Sequence, residues 1–72
     1  MAEKPLAVRV TEALAQDKRT RNMAVDVSVI GAHVTLTGIC ANAKERKMVE
    51  DIVRSVSGVT GVINEMRVGR TT

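Results

Sequence analysis

Hydrophobic residues recur at a helical spacing in the first part of this chain. Over residues 5–17, Leu6, Val10 and Leu14 follow one another at four-residue steps, and most of the polar side chains lie off this stripe. The spacing predicts a helix with one apolar face. Residues 17–22 have no periodicity and are interpreted as a charged connection.

The period changes to two at Val25, where apolar and polar residues begin to alternate. Two alternating runs, over residues 25–30 and 33–39, flank Gly31 and Ala32. A two-residue turn with Gly first is of type II′ and joins antiparallel strands. One register places all the branched side chains on the same face. Its facing pairs are Ile30 with His33, Val29 with Val34, Val27 with Leu36, and Val25 with Gly38.

A second helix is predicted from Asn42, an N-cap residue that Glu45 follows three positions later. Five apolar residues behind it form a wide stripe: Met48, Val49, Ile52, Val53 and Val56. Gly58 is a helix stop, and alternation then resumes up to Val68 as a third strand. The element order predicts an α+β fold, αββαβ, with two helices packed on one face of a three-stranded mixed sheet.

The length of 72 residues permits one domain, 1–72, with a folded part of about residues 5–68. Such a short chain buries only about 60% of the surface that it exposes when unfolded, so each apolar side chain matters. The predicted core takes one face of every element. Its members are Leu6, Val10, Leu14, Val25, Val27, Val29, Val34, Leu36, Met48, Ile52, Val56, Val62, Met66 and Val68.

Composition excludes several classes of function. The chain has one Cys and one His, which excludes a disulfide framework and the usual zinc sites, and no metal or other cofactor is predicted. It has no Phe, Tyr or Trp on which single-stranded nucleic acid could stack. No apolar run of signal-peptide or membrane-spanning length is present. The chain as given is therefore expected to be cytoplasmic, or periplasmic if it is a domain trimmed from an exported protein.

The ordered set of motifs resembles a BON domain. The resemblance extends over residues 6–68 and rests on the alternating valines from Val25, the block Val34-Thr35-Leu36-Thr37-Gly38, the helix from Asn42, and Gly58-Val59-x-x-Val62-x-Asn64-x-Met66-x-Val68. BON domains are αββαβ modules of bacterial envelope and stress proteins. The resemblance implies a membrane-associated binding module for phospholipid, with other members linked to osmotic stress, secretion pores or potassium sensing. It implies no enzymatic activity.

Few residues are candidates for chemistry, and no catalytic residue is predicted. His33 lies beside the hairpin turn and is interpreted as a solvated strand residue, since no second ligand accompanies it. Cys40 is interpreted as a small, partly buried filler rather than a reactive thiol. Asp26 and Glu65 share a face of the predicted sheet, but no nucleophile or phosphate-binding loop accompanies them.

The basic residues concentrate at one end of the predicted fold. The second helix starts where the second strand ends, and the third strand must run parallel to the second, so its end returns to the same place. Eight of the eleven basic residues gather there and are here called the basic pole: Lys18, Arg19, Arg21, Lys44, Arg46, Lys47, Arg67 and Arg70. The positive end of the helix dipole adds to their charge. The hypothesis is an anion-binding or lipid-binding site, and the alternative is a solvated charged rim.

Anionic phospholipid headgroups are the partner that this sequence favours. A protein partner or a second copy could instead bind the open sheet face, where Ile30, Ile39 and Ile63 are expected to be exposed. Nucleic-acid backbone binding by the basic pole is less favoured, because aromatic residues are absent and the net charge is only +3. Cation sensing would need carbonyl ligands that a sequence does not reveal.

Overall fold

Two helices pack on one face of a mixed sheet in the computed structural model, which describes residues 4–69. The predicted α+β class and αββαβ order are confirmed, except that the third strand is divided in two. The elements are α1 (Leu6–Gln16), β1 (Val25–Ile30), β2 (His33–Cys40), α2 (Ala43–Arg54), β3 (Gly61–Asn64) and β4 (Arg67–Val68).

The hairpin of β1 and β2 has the predicted register. All four facing pairs are present, from Ile30 with His33 to Val25 with Gly38. At the turn, Gly31 has a φ of 63°, whereas Ala32 keeps a negative φ. A positive φ at the first turn residue alone is the signature of the predicted type II′ turn.

The third strand runs parallel to β2, as predicted, but it is interrupted between β3 and β4. Both segments keep one register, since His33 pairs with Gly61 and Cys40 pairs with Val68. The interruption lies opposite Gly38, which has a φ of 135°, a value that residues other than glycine rarely adopt. A Cβ atom added at this position would collide with the carbonyl oxygen of Ala24. The interruption therefore faces the one residue of β2 with a positive φ, and the register is the same on both sides of it.

The core lies between β2 and the two helices. Its buried members are Val10, Leu14, Val34, Leu36, Cys40, Val49, Val53 and Met66. The inward valines of β1 are only half-buried, because β1 is an edge strand. The prediction omitted Cys40 and the two α2 valines, although both valines belong to the predicted apolar stripe. Cys40 is more deeply buried than expected.

Two residues of the predicted core lie outside it. Val68 is 44% exposed, because β4 is a two-residue strand at the end of the sheet with only β2 paired beside it. Met48 is half-buried and does not belong to the core cluster. The helix directs Val49 and Val53 inward, so Met48 falls on the flank of α2.

The connection after α1 is more ordered than its charged sequence suggests. The Thr20 side chain is buried and its hydroxyl donates a 2.7 Å hydrogen bond to the carbonyl of Leu14, in the last turn of α1. The carbonyl of Asp17 accepts from the amides of Thr20 and Arg21. These bonds satisfy carbonyls at the end of α1 and fix the position of the loop.

Side-chain hydrogen bonds hold the start of α2. The Asn42 carboxamide accepts from the Glu45 amide at 2.9 Å, and the Glu45 carboxylate accepts from the Ala41 amide at 2.8 Å. This reciprocal arrangement is close to the predicted capping box, although the returned bond goes to the residue before the cap. The helix ends at Arg54, four residues before Gly58.

Candidate anion-binding site

A groove of about 440 Å³ runs along the first turns of α2, beside the loop that follows α1. We call it the α2 groove, and its lining residues are Arg19, Ala43, Lys44, Lys47, Met48 and Asp51. Lys44 and Lys47 are three positions apart on the helix and so share one face. The loop brings Arg19 to the same groove, while Ala43 and Met48 give it an apolar floor.

Arg19 is held in place by Asp17. Its guanidinium donates to both carboxylate oxygens, from Nε to Oδ1 at 3.0 Å and from Nη2 to Oδ2 at 2.9 Å, and its amide donates to Oδ1 at 2.9 Å. The side-chain bonds, followed by the backbone bond, lower the pKa of Asp17 from 3.8 to about 2. Asp17 is therefore ionised at neutral pH and offsets part of the charge of Arg19.

The two lysines of the α2 groove differ in their partners. Lys47 lies 3.7 Å from Asp51, and both side chains are largely exposed, so this pair contributes little to stability. Lys44 forms no ion pair with any residue in the range 4–69. Positive charge in the groove is thus carried most fully by Lys44, and partly by Arg19 and Lys47.

The other predicted site residues point in several directions. Arg46 lines a neighbouring groove on the opposite flank of α2, together with Lys47. Arg21 lines a separate cleft between α1 and β1. Arg67 pairs with Ile39 and belongs to the open sheet face. Lys18 is exposed on the loop. Arg70 lies outside the described residues.

Asn64 joins α2 to the sheet at the back of this site. Its side-chain NH₂ donates to the Arg46 carbonyl at 3.0 Å and to the Glu50 carboxylate at 3.3 Å, and its Oδ1 accepts from the Met66 amide at 3.1 Å. Its own carbonyl accepts from Arg46 Nη2 at 3.0 Å. Arg46 is therefore engaged within the domain, and Asn64 bridges the interruption between β3 and β4.

Bonds from Arg54 and then Asn64 lower the pKa of Glu50, which is charged at neutral pH. Acidic residues offset part of the positive charge of the site. Asp17 and Asp51 compensate two of the three cations of the α2 groove. The four-residue spacing of Lys47 and Asp51 on a helix predicts their ion pair from the sequence. The contact of Arg19 with Asp17 depends on the conformation of the loop, which no such spacing predicts.

The open face of the sheet carries the exposed isoleucines, as predicted. Ile30, Ile39 and Ile63 are 79%, 66% and 51% exposed. His33 is exposed, and its imidazole lies against Gly61 on the neighbouring strand. A side chain at Gly61 would clash with this ring, so His33 is the exposed strand residue that was predicted, but one face of its ring packs across the sheet instead of being solvated.

The remaining candidates for chemistry are dispersed. The Cys40 thiol lies 3.4 Å from the Asn42 carbonyl and 3.5 Å from the Arg67 carbonyl, within hydrogen-bonding distance of both. Asp26 and Glu65 are both exposed, but only Asp26 belongs to a strand, whereas Glu65 lies in the interruption between β3 and β4. Within residues 4–69, no three His, Cys, Asp or Glu side chains converge as metal ligands would. No helix in that range has both the length and the hydropathy needed to cross a bilayer.

Comparison with protein families agrees with this architecture. The model of the BON domain family matches residues 2–70, almost the whole chain. The chain belongs to the BON domain family. No curated protein matches it.

In this BON domain the residues of the sequence resemblance have structural roles: Gly38 permits a close approach of the backbone at Ala24, Asn42 caps α2, and Asn64 links α2 to the sheet. Membership of this family indicates a binding module.

Proposed function

We propose that this BON domain is a non-enzymatic module that binds anionic phospholipid headgroups through the α2 groove. The observation that carries the proposal is the convergence of Arg19, Lys44 and Lys47 from two separate segments on one groove. Family membership supports a binding role, and the cationic lining supports an anionic ligand.

The start of α2 adds donors to this groove. The first backbone hydrogen bond of the helix runs from the Arg46 amide to the Asn42 carbonyl. The Asn42 side chain accepts a hydrogen bond from the Glu45 amide. The amides of Ala43 and Lys44 precede these bonds and have no partner within residues 4–69. Unpaired amides at a helix start favour a phosphate group. The carboxylate of Glu45 accepts a hydrogen bond from the Ala41 amide, which holds it at the cap of the helix.

The expected affinity is low. Each Lys or Arg near an anionic membrane contributes about 1 kcal/mol, so the three cations of the α2 groove contribute at most about 3 kcal/mol. That corresponds to roughly millimolar affinity for one domain. The sequence has no aromatic residue that could insert into the interface. Strong residence on a membrane would need several linked copies.

Vesicle co-sedimentation tests the proposal. The domain should bind vesicles that contain anionic lipid and should not bind purely zwitterionic ones, and binding should fall steeply between low and physiological salt. Soluble phosphate competes if the headgroup alone is recognised, whereas competition by duplex DNA would indicate general polyanion binding. Equal binding to both vesicle types, or binding insensitive to salt, would contradict the proposal.

A second candidate function is a protein contact on the open sheet face. The exposure of Ile30, Ile39 and Ile63 favours it, since three isoleucines on one sheet face are a potential interaction surface. Replacing Ile63 by Lys would impair such a contact and would leave the α2 groove intact. Vesicle binding that survives this replacement favours the groove.

A further inference from the structure

β1 lies at one edge of the sheet, with its outer side open. Within residues 4–69, β1 pairs only with β2, so no other strand of this range lies along the outer side of its backbone. Native edge strands are usually protected by Lys, Pro or a bulge. β1 reads Val-Asp-Val-Ser-Val-Ile and has none of these, and its one charged residue, Asp26, belongs to the open face.

The direction of the free backbone groups follows from the sheet. The carbonyls of Leu36 and Cys40 accept from Glu65 and Gly69, so even-numbered groups of β2 face β3 and odd-numbered groups face β1. The odd residues of β2 oppose even residues of β1. The amides and carbonyls of Val25, Val27 and Val29 therefore point outward. No hydrogen bond from elsewhere in residues 4–69 reaches them.

The opposite edge of the sheet is already occupied. At Asn64, the outward carbonyl accepts from Arg46 Nη2, and the Met66 amide donates to the Asn64 side chain. The strand is also interrupted between β3 and β4. The two edges therefore differ, and only the β1 edge presents an unbroken strand of six residues.

The apolar surface beside β1 is also incompletely covered. Val25, Val27 and Val29 are half-buried, and a cleft of about 110 Å³ separates Val25 and Val27 from α1. Thr11 and Ala15 line this cleft. Val8 lies one turn earlier on the same flank of α1 and is exposed. A strand added to β1 would bury this flank together with the valines.

We propose that two copies of this chain pair antiparallel through their β1 edges and form a dimer with one continuous sheet. The sequence of the edge is self-complementary, because valines at positions 25, 27 and 29 are symmetric about Val27. A twofold axis through Val27 gives three hydrogen-bonded valine pairs and places Asp26 opposite the partner's Ser28. Shifting either strand by two residues loses one pair, and one such shift places two aspartates face to face.

Cysteine pairing measures this register directly. In the proposed dimer Asp26 and the partner's Ser28 form a non-hydrogen-bonded pair with Cα atoms about 4.5 Å apart, which a disulfide can span. Asp26 lies about 8 Å from the partner's Asp26, which is too far. An equimolar mixture of Asp26→Cys and Ser28→Cys chains should give crosslinked dimer under oxidation, while each variant alone should give at most the level of the wild type, whose Cys40 is buried.

Amide hydrogen exchange provides a readout without any substitution. Between about 10 µM and about 1 mM protein, exchange of the Val25, Val27 and Val29 amides should slow, whereas that of Asp26 and Ser28 should not change. Crosslinking by either variant alone would overturn the proposed register. Loss of the mixed crosslink on adding Ile63→Lys to both chains would show a contact through the open face. A chain that stays monomeric at about 1 mM and gives no mixed crosslink overturns the proposal. None of these results depends on the α2 groove.

Discussion

Replacing Asn64 by Ala tests how the second helix is attached to the sheet. The substitution removes three side-chain hydrogen bonds: to the Arg46 carbonyl, the Glu50 carboxylate and the Met66 amide. The last of these matters most, because it is partly buried and the Met66 amide would lose its partner. A side chain shortened to methyl cannot bridge the interruption between β3 and β4.

The cost can be worked out from these contacts. A fully buried amide without a partner costs about 1–3 kcal/mol, so a partly buried one costs about 1 kcal/mol, and a neutral hydrogen bond contributes about 0.5–1.5 kcal/mol. The bond to Glu50 is partly exposed and adds little. A total of about 2 kcal/mol or more is a large part of the roughly 5 kcal/mol expected for so small a domain. It would lower the Tm by roughly 8–16 °C.

Thermal unfolding followed by circular dichroism measures this change. The matched control is Asn22→Ala, because Asn22 is exposed and makes no side-chain hydrogen bond within residues 4–69. We expect the control to melt within about 3 °C of the wild type. If Asn64→Ala also melted within about 3 °C, the description of Asn64 as the link between α2 and the sheet would be refuted.

Three further predictions concern the core, the loop and the titration of the site. Leu36→Ala should cost about 2–5 kcal/mol in urea unfolding, and Ile52→Ala should cost less because Ile52 is only half-buried; the reverse order would contradict the core described above. Thr20→Val should lose about 1–2 kcal/mol, whereas Thr11→Val, which removes an exposed bond to the Ala7 carbonyl, should be nearly neutral; equal effects would rule out a special role for Thr20. NMR titration should give Asp17 a pKa of about 2, and Arg19→Ala should return it toward 3.8. Because this pKa is depressed on folding, the pair stabilises the domain above about pH 3.8, and the effect is lost as pH falls through about 2.

The periodic elements of this fold can be predicted from sequence. Alternating valines and a Gly-Ala turn determine the hairpin register, because a shift of one residue would expose the whole apolar face. The core is harder to predict at its margins. Whether Met48 or Val49 faces inward depends on how α2 is rotated about its axis, and its wide apolar stripe permits either orientation. The exposure of Val68 depends on where the sheet ends.

The candidate site is predictable only in part. Chain direction brings basic residues to one end, and the α2 groove does unite Arg19 with Lys44 and Lys47. The directions of Arg21 and Arg67 depend on the loop and on the strand face, which local sequence does not determine. The pairing of Arg19 with Asp17 follows from the turn that Thr20 anchors, and a linear pattern does not contain that contact.

A charge-matched comparison on anionic vesicles tests the central claim most directly. Lys44→Ala with Lys47→Ala removes two cations from the α2 groove, and Lys4→Ala with Arg54→Ala removes two that pair with Glu12 and Glu50 elsewhere. Both double variants lower the net charge from +3 to +1. At low salt the groove variant should bind about 10- to 30-fold more weakly than wild type, since each cation contributes about 1 kcal/mol, and the control should keep most of its binding. Equal loss in the two variants would show that net charge alone governs binding and would contradict a site in the α2 groove.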